Sequence, residues 1–137
     1  MLAFLRKLLR NARRATHAEG DHDDCRQASG QRTVVLRHER TPADTRYLGA
    51  SYSQDGDLLI EGQDLGDQVE RLFGCREYEW TWTIRRANIP ALAAALAEEG
   101  EPLAALARRF SGPNAANLFE FLTDNRIPFE KWSRIGD

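Results

Sequence analysis

The chain has few of the residues on which common site chemistries depend. It holds two cysteines, Cys25 and Cys75, in unlike surroundings. A disulfide framework needs more of them and an oxidising compartment, so reduced thiols are expected. Lysine occurs only as Lys7 and Lys131, and basic charge is otherwise arginine, a bias typical of GC-rich bacterial coding. No apolar run approaches the roughly 20 residues needed to span a bilayer. The basic, interrupted start lacks the apolar core of a secretory signal, so the cytoplasm is the expected location. Gly49, Gly56, Gly62 and Gly66 are scattered and form no phosphate-binding loop. Ser51, Ser53, Ser111 and Ser133 have no Gly-x-Ser-x-Gly context. Cys75 follows a helix-ending glycine, not a helix N-terminus that would stabilise a thiolate. His17, His22 and Cys25, beside Asp21, Asp23 and Asp24, are zinc-ligand types without finger or ribbon spacing. No catalytic residue, metal site or cofactor is assigned on these grounds.

What is present describes a globular domain. A chain of 137 residues fits one domain. At this size roughly two thirds of the unfolded surface is buried on folding. With a net charge of −2 the protein as a whole is no electrostatic match for nucleic acid. That charge is uneven. Arg6, Lys7, Arg10, Arg13 and Arg14 precede the first acid, Glu19, so the rest of the chain is more acidic than the total implies.

Three regions are expected. Residues 1–15 read as a basic amphipathic helix, with Leu2, Leu5, Leu8, Leu9 and Ala12 on one face. Residues 16–31 have the composition of a flexible linker. Residues 32–137 read as a single α+β domain, an antiparallel sheet of about four strands with helices packed on one face. Strands are expected over 33–38, 46–53, 58–63 and 76–86. The second places Leu48, Ala50 and Tyr52 on one face, and Gln54-Asp55-Gly56-Asp57 marks a hairpin turn. Asp64 is the expected N-cap of a short helix, with Asp67 in its first turn and Gly74 at its end. Three further helices are expected: one capped by Asn88 and ended by Gly100, one beginning near Glu101, and one over 114–125. Ile127-Pro128-Phe129 and Trp132 suit an edge strand.

The clearest strand is 76–86. Tyr78, Trp80, Trp82 and Ile84 alternate with Glu77, Glu79, Thr81 and Thr83. The aromatic stripe is expected in the core, because the acidic neighbours disfavour a nucleobase-stacking platform. The acidic stripe is expected on the solvent face. With Glu61, Asp64 and Asp67 it would give an acidic docking face for a basic partner. The segments Glu61-Gly62-Gln63-Asp64-Leu65-Gly66, Glu77-Tyr78-Glu79-Trp80, Ile89-Pro90 and Ile127-Pro128-Phe129 with Trp132 resemble a group of small bacterial proteins common in actinomycetes. The resemblance spans roughly Asp55 to Ser133. That group carries no assigned activity, so it transfers no functional residue.

The resulting expectation is a protein-binding module, by class analogy an immunity protein that neutralises a cationic bacterial toxin. Glu61, Asp64, Asp67, Glu77 and Glu79 are its expected contact residues. Three alternatives stand beside it: a metal-assisted hydrolase using the Asp55–Glu79 carboxylates, an effector chaperone, and an adaptor held to a partner or an anionic membrane through Arg6, Arg10, Arg13 and Arg14.

Overall fold

Period-two alternation and turn chemistry build a meander of hairpins, and one long helical excursion closes it. A computed structural model describes residues 32–136. The expected N-terminal helix and linker lie outside the described residues. The elements run β1 (Thr33–Arg40), β2 (Asp44–Tyr52), β3 (Leu58–Gly66), α1 (Asp67–Phe73), β4 (Glu77–Ile84), α2 (Ile89–Leu96), α3 (Pro102–Arg109), α4 (Leu118–Asp124) and β5 (Glu130–Gly136). The sheet has five antiparallel strands in the order β1-β2-β3-β4-β5. The architecture is α+β as expected, with one more strand because the C-terminal segment joins as β5.

Register decides the two faces. Ala50, Ile60 and Trp82 are cross-strand partners, as are Tyr52, Leu58 and Ile84. These residues point to the helices, and the core comprises Leu36, Leu48, Ile60 and Ile84 with Leu92, Leu103, Leu106, Leu118 and Leu122. Trp82 meets Phe119 and Phe129 at centroid distances of 5.4 and 5.9 Å. Beyond the helices the same face continues as an aromatic ladder. Trp80 stacks on Tyr78 at 5.4 Å, and Tyr78 on Phe73 of α1 at 5.1 Å. Trp80 reaches across β3 because Gly62 is its partner; any Cβ there would collide with the indole. The aromatic stripe thus lies on the core side, although Tyr78, Trp80 and Trp82 are only half-buried.

Several element boundaries differ from expectation for local reasons. Asp64 is not a helix cap. It sits inside β3, which runs on to Gly66 because Asp44–Arg46 of β2 pair with Asp64–Gly66. Gly66 takes the N-cap place at φ 123°, where a Cβ would strike the Ala43 carbonyl. The Asp44 carboxylate instead accepts from Gln68 N at 2.9 Å. Gly74 ends α1 in the left-handed region as expected. Asn88 makes no side-chain cap, and α2 stops at Ala97, three residues before Gly100. Glu101 caps α3, accepting from Leu103 N at 3.1 Å and Ala104 N at 3.2 Å. Residues 112–117 form a 3₁₀ turn ahead of α4 rather than part of it.

Candidate functional site

The helices pack against one face of the sheet, so the search for a site turns to the other. Strand alternation places Glu61 and Gln63 of β3, Glu77, Glu79 and Thr81 of β4, Tyr47 of β2, and Trp132 and Arg134 of β5 on that second face. One cross-strand row reads His38, Tyr47, Gln63, Glu79 and Arg134; the next carries Gly49, Glu61, Thr81 and Trp132. Glu61 therefore shares a face with Glu77 and Glu79. Asp64 does not: it is the partner of Tyr78 on the helix side. Asp67 lies at the start of α1, ion-paired to Arg76 at 2.9 Å. Of the five expected contact residues, three share this face, one lies on the helix side and one belongs to α1.

The expectation that Glu77 and Glu79 stand in solvent is corrected. They are 3% and 8% exposed, and Gln63 is buried with them. The Gln63 amide donates to Glu77 Oε1 at 2.8 Å and reaches Glu79 Oε1 at 3.4 Å. Two residues apart on one strand face, the carboxyls crowd each other, and two adjacent charges in a dry place are costly. Burial first, then the Glu77 charge and a hydrogen bond with Glu77, push Glu79 above the usual carboxylate range; the Arg134 charge opposes this. The two carboxyls form a crowded buried dyad that the Gln63 amide bonds from β3. Burial also raises Tyr47, and the charge of Glu61 adds to that.

The remaining acids have structural duties. Asp57 accepts from Arg86 N at 2.8 Å and pairs with Arg85 at 3.0 Å, which pins the β4 end to the β2–β3 turn. The Arg86 N–H contributes most to holding Asp57 below its usual range. Asp64 lies 3.4 Å from Arg46. Burial raises it more than the charges of Arg46 and Arg37 lower it. Asp55 stands in the turn, remote from the Glu77–Glu79 dyad along β3 and β4. Among the described residues no three His, Cys, Asp or Glu side chains come together to hold a metal. Of the Asp55–Glu79 carboxylates, Glu61, Glu77 and Glu79 share one face, whereas Asp55, Asp57, Asp64 and Asp67 stand elsewhere. His17, His22, Cys25 and the N-terminal arginines lie outside the described residues.

Two features escape a linear reading. One is Gln63, unremarkable in sequence, which the β3–β4 register makes the partner of the dyad. The other is an open hollow of about 410 Å³ on the helical side, lined by Arg109, Phe110, Asn117, Glu120, Phe121 and Asp124 among others. Its guanidinium is already engaged, stacked 4.6 Å over Phe121 and donating to Leu96 O at 3.2 Å. No described helix is long and apolar enough to cross a membrane. Comparison with protein families, curated proteins and solved structures yields no match.

Proposed function

We propose that this domain is a protein-binding module that takes a basic partner on the sheet face opposite its helices, in the manner of a cytoplasmic immunity protein neutralising a cationic toxin. The observation that carries the reading is the convergence of Glu61, Glu77 and Glu79 on that one face, where burial and the neighbouring Glu77 charge raise Glu79. A guanidinium from the partner offsets the crowding of the two carboxyls and turns a costly buried pair into a charge-assisted one. Any proton that the raised Glu79 holds in the free domain is released on capture. Glu61, half-buried at the margin of the dyad, and the exposed edge-strand residues form the approach. The excess of acid beyond the basic first segment steers a cationic partner toward the domain. Asp64 and Asp67 belong to the opposite side and to α1, so the reading gives them no contact role.

Co-purification with the product of the adjacent gene, scored beside rescue from that product's toxicity, tests the proposal. Glu61→Lys is expected to weaken capture at least tenfold. Glu79→Gln keeps the neutral form of the dyad. It is expected to fold normally, bind less tightly and lose pH dependence. In the wild type, capture should strengthen as pH rises toward the raised Glu79 value, because the proton to be released is bound less firmly. The reading is abandoned if no neighbouring product binds and both variants rescue like the wild type.

A further inference from the structure

We infer that β5 is a dimerisation edge, along which two copies of the chain pair antiparallel about a two-fold axis through Trp132. This does not depend on the partner reading above. Strand β5 is hydrogen-bonded to β4 on one side and borders no other described strand. Its residues Glu130–Ile135 are all exposed. A sheet edge of this kind is a row of unpaired N–H and C=O groups ready to template another strand.

The two edges of the sheet differ. Strand β1 carries a bulge between Val35 and Arg37, a common device for spoiling edge pairing. Strand β5 pairs with β4 in unbroken register from Glu130 to Gly136, and its stretch contains no proline. Lys131 is turned to the helix side, 4.8 Å over the Phe119 ring, so its charge does not guard the edge.

The sequence of the strand is complementary to itself. Glu130, Trp132 and Arg134 are partners of Thr83, Thr81 and Glu79 and therefore share the face away from the helices. Antiparallel pairing centred on Trp132 sets Trp132 against its own copy. It also sets each Glu130 against the Arg134 of the other chain. One aromatic pair and two opposite-charge pairs then fall on one face, the combination that stabilises neighbouring strands. Centring on Ser133 instead would oppose Trp132 to Arg134 and leave Glu130 facing Gly136. A residue pattern that satisfies itself through a two-fold is the mark of an isologous contact, so the occupant is a second copy rather than an unrelated strand. The side chains are exposed. Trp132 is 54% exposed and makes no ring contact among the described residues, and Arg134 is exposed while its charge also reaches its cross-strand partner Glu79. Glu130 holds the Arg85 fork at 2.8 and 3.1 Å, and a carboxylate retains acceptor sites for a second guanidinium.

Sedimentation equilibrium of the full chain over a concentration series tests this. A reversible monomer–dimer equilibrium is expected. Arg134→Glu and Glu130→Arg should each raise the dimer dissociation constant at least tenfold, because either one makes both charge pairs repulsive. An equimolar mixture of the two variants should form a heterodimer of near wild-type affinity, since every charge again meets its opposite. A wild type that stays monomeric throughout overturns the inference. So does a dimer indifferent to either reversal, or a mixture that fails to associate. Losing the Arg85 contact in Glu130→Arg could unfold that variant, so a second arm uses Trp132→Cys with Cys25→Ser and Cys75→Ser. Oxidation should yield a disulfide-linked dimer, because position 132 lies on the axis; no cross-link overturns the inference as well.

Discussion

The dyad on β4 gives the domain a pH response of unusual sign. Glu79 has its folded value raised above the ordinary 4.5, so between those values the folded state binds more protons than the unfolded one. Stability contributed by this group is full below 4.5 and declines as pH rises through the raised value. The melting temperature of Glu79→Gln should lack that decline; the same slope in variant and wild type, measured by calorimetry across pH, would refute it. Asp57 and Glu101 act in the opposite direction. Burial opposes the charge on Glu101. The Tyr52 hydroxyl, donating at 2.6 Å, and the two cap N–H groups more than offset this and hold it below its usual range. Their contribution is present above the unfolded values and lost as pH falls through the depressed ones. At Trp80 the indole N–H is buried without an acceptor among the described residues. Removing an unsatisfied donor returns about 1–3 kcal/mol, which offsets the smaller area of phenylalanine. Trp80→Phe should therefore unfold within ~1 kcal/mol of wild type in urea. Gly62→Ala, which drives a methyl into the same ring, should cost about 1–3 kcal/mol.

Helix α3 is the element whose start was most legible. Glu101 followed by Pro102 signals a first turn, and the structure uses both. Glu101→Ala should cost about 1 kcal/mol through the lost cap. It also strips the Tyr52 hydroxyl of its acceptor, so pairing it with Tyr52→Phe should cost less than the sum of the two single changes. Denaturant midpoints of the three variants check this. Helix α1 shows where local reading stops. Asp64 has a good cap side chain, yet it is held in β3 by pairing with β2, eighteen residues earlier. No window of sequence contains that register. The end of α2 fails for a different reason. Ala97 adopts φ 51°, a conformation that sequence reading reserves for glycine or asparagine.

For the molecule as a whole, period-two patterning was enough to identify the core side of the sheet and the α+β class. It was silent on wetness. Glu77 and Glu79 looked solvent-facing because acids alternating with aromatics usually are. The Gln63 amide that bonds both carboxyls comes from β3, a contact remote in sequence. A chain beginning at Gln31 contains every described core residue, so it should unfold cooperatively in urea; a broad, non-cooperative transition would contradict that. The strand order has a further consequence in time. Strands β1 to β4 close through short connections, whereas β5 returns only after three helices, and Arg85 and Glu130 meet across 45 residues. Contacts of that sequence separation are the least local in the sheet. When β5 is displaced, β4, the strand richest in tryptophan, becomes the open edge. Strand β5 therefore also covers the edge most prone to misassociation, and hydrogen exchange should find it opening before any other strand in the sheet.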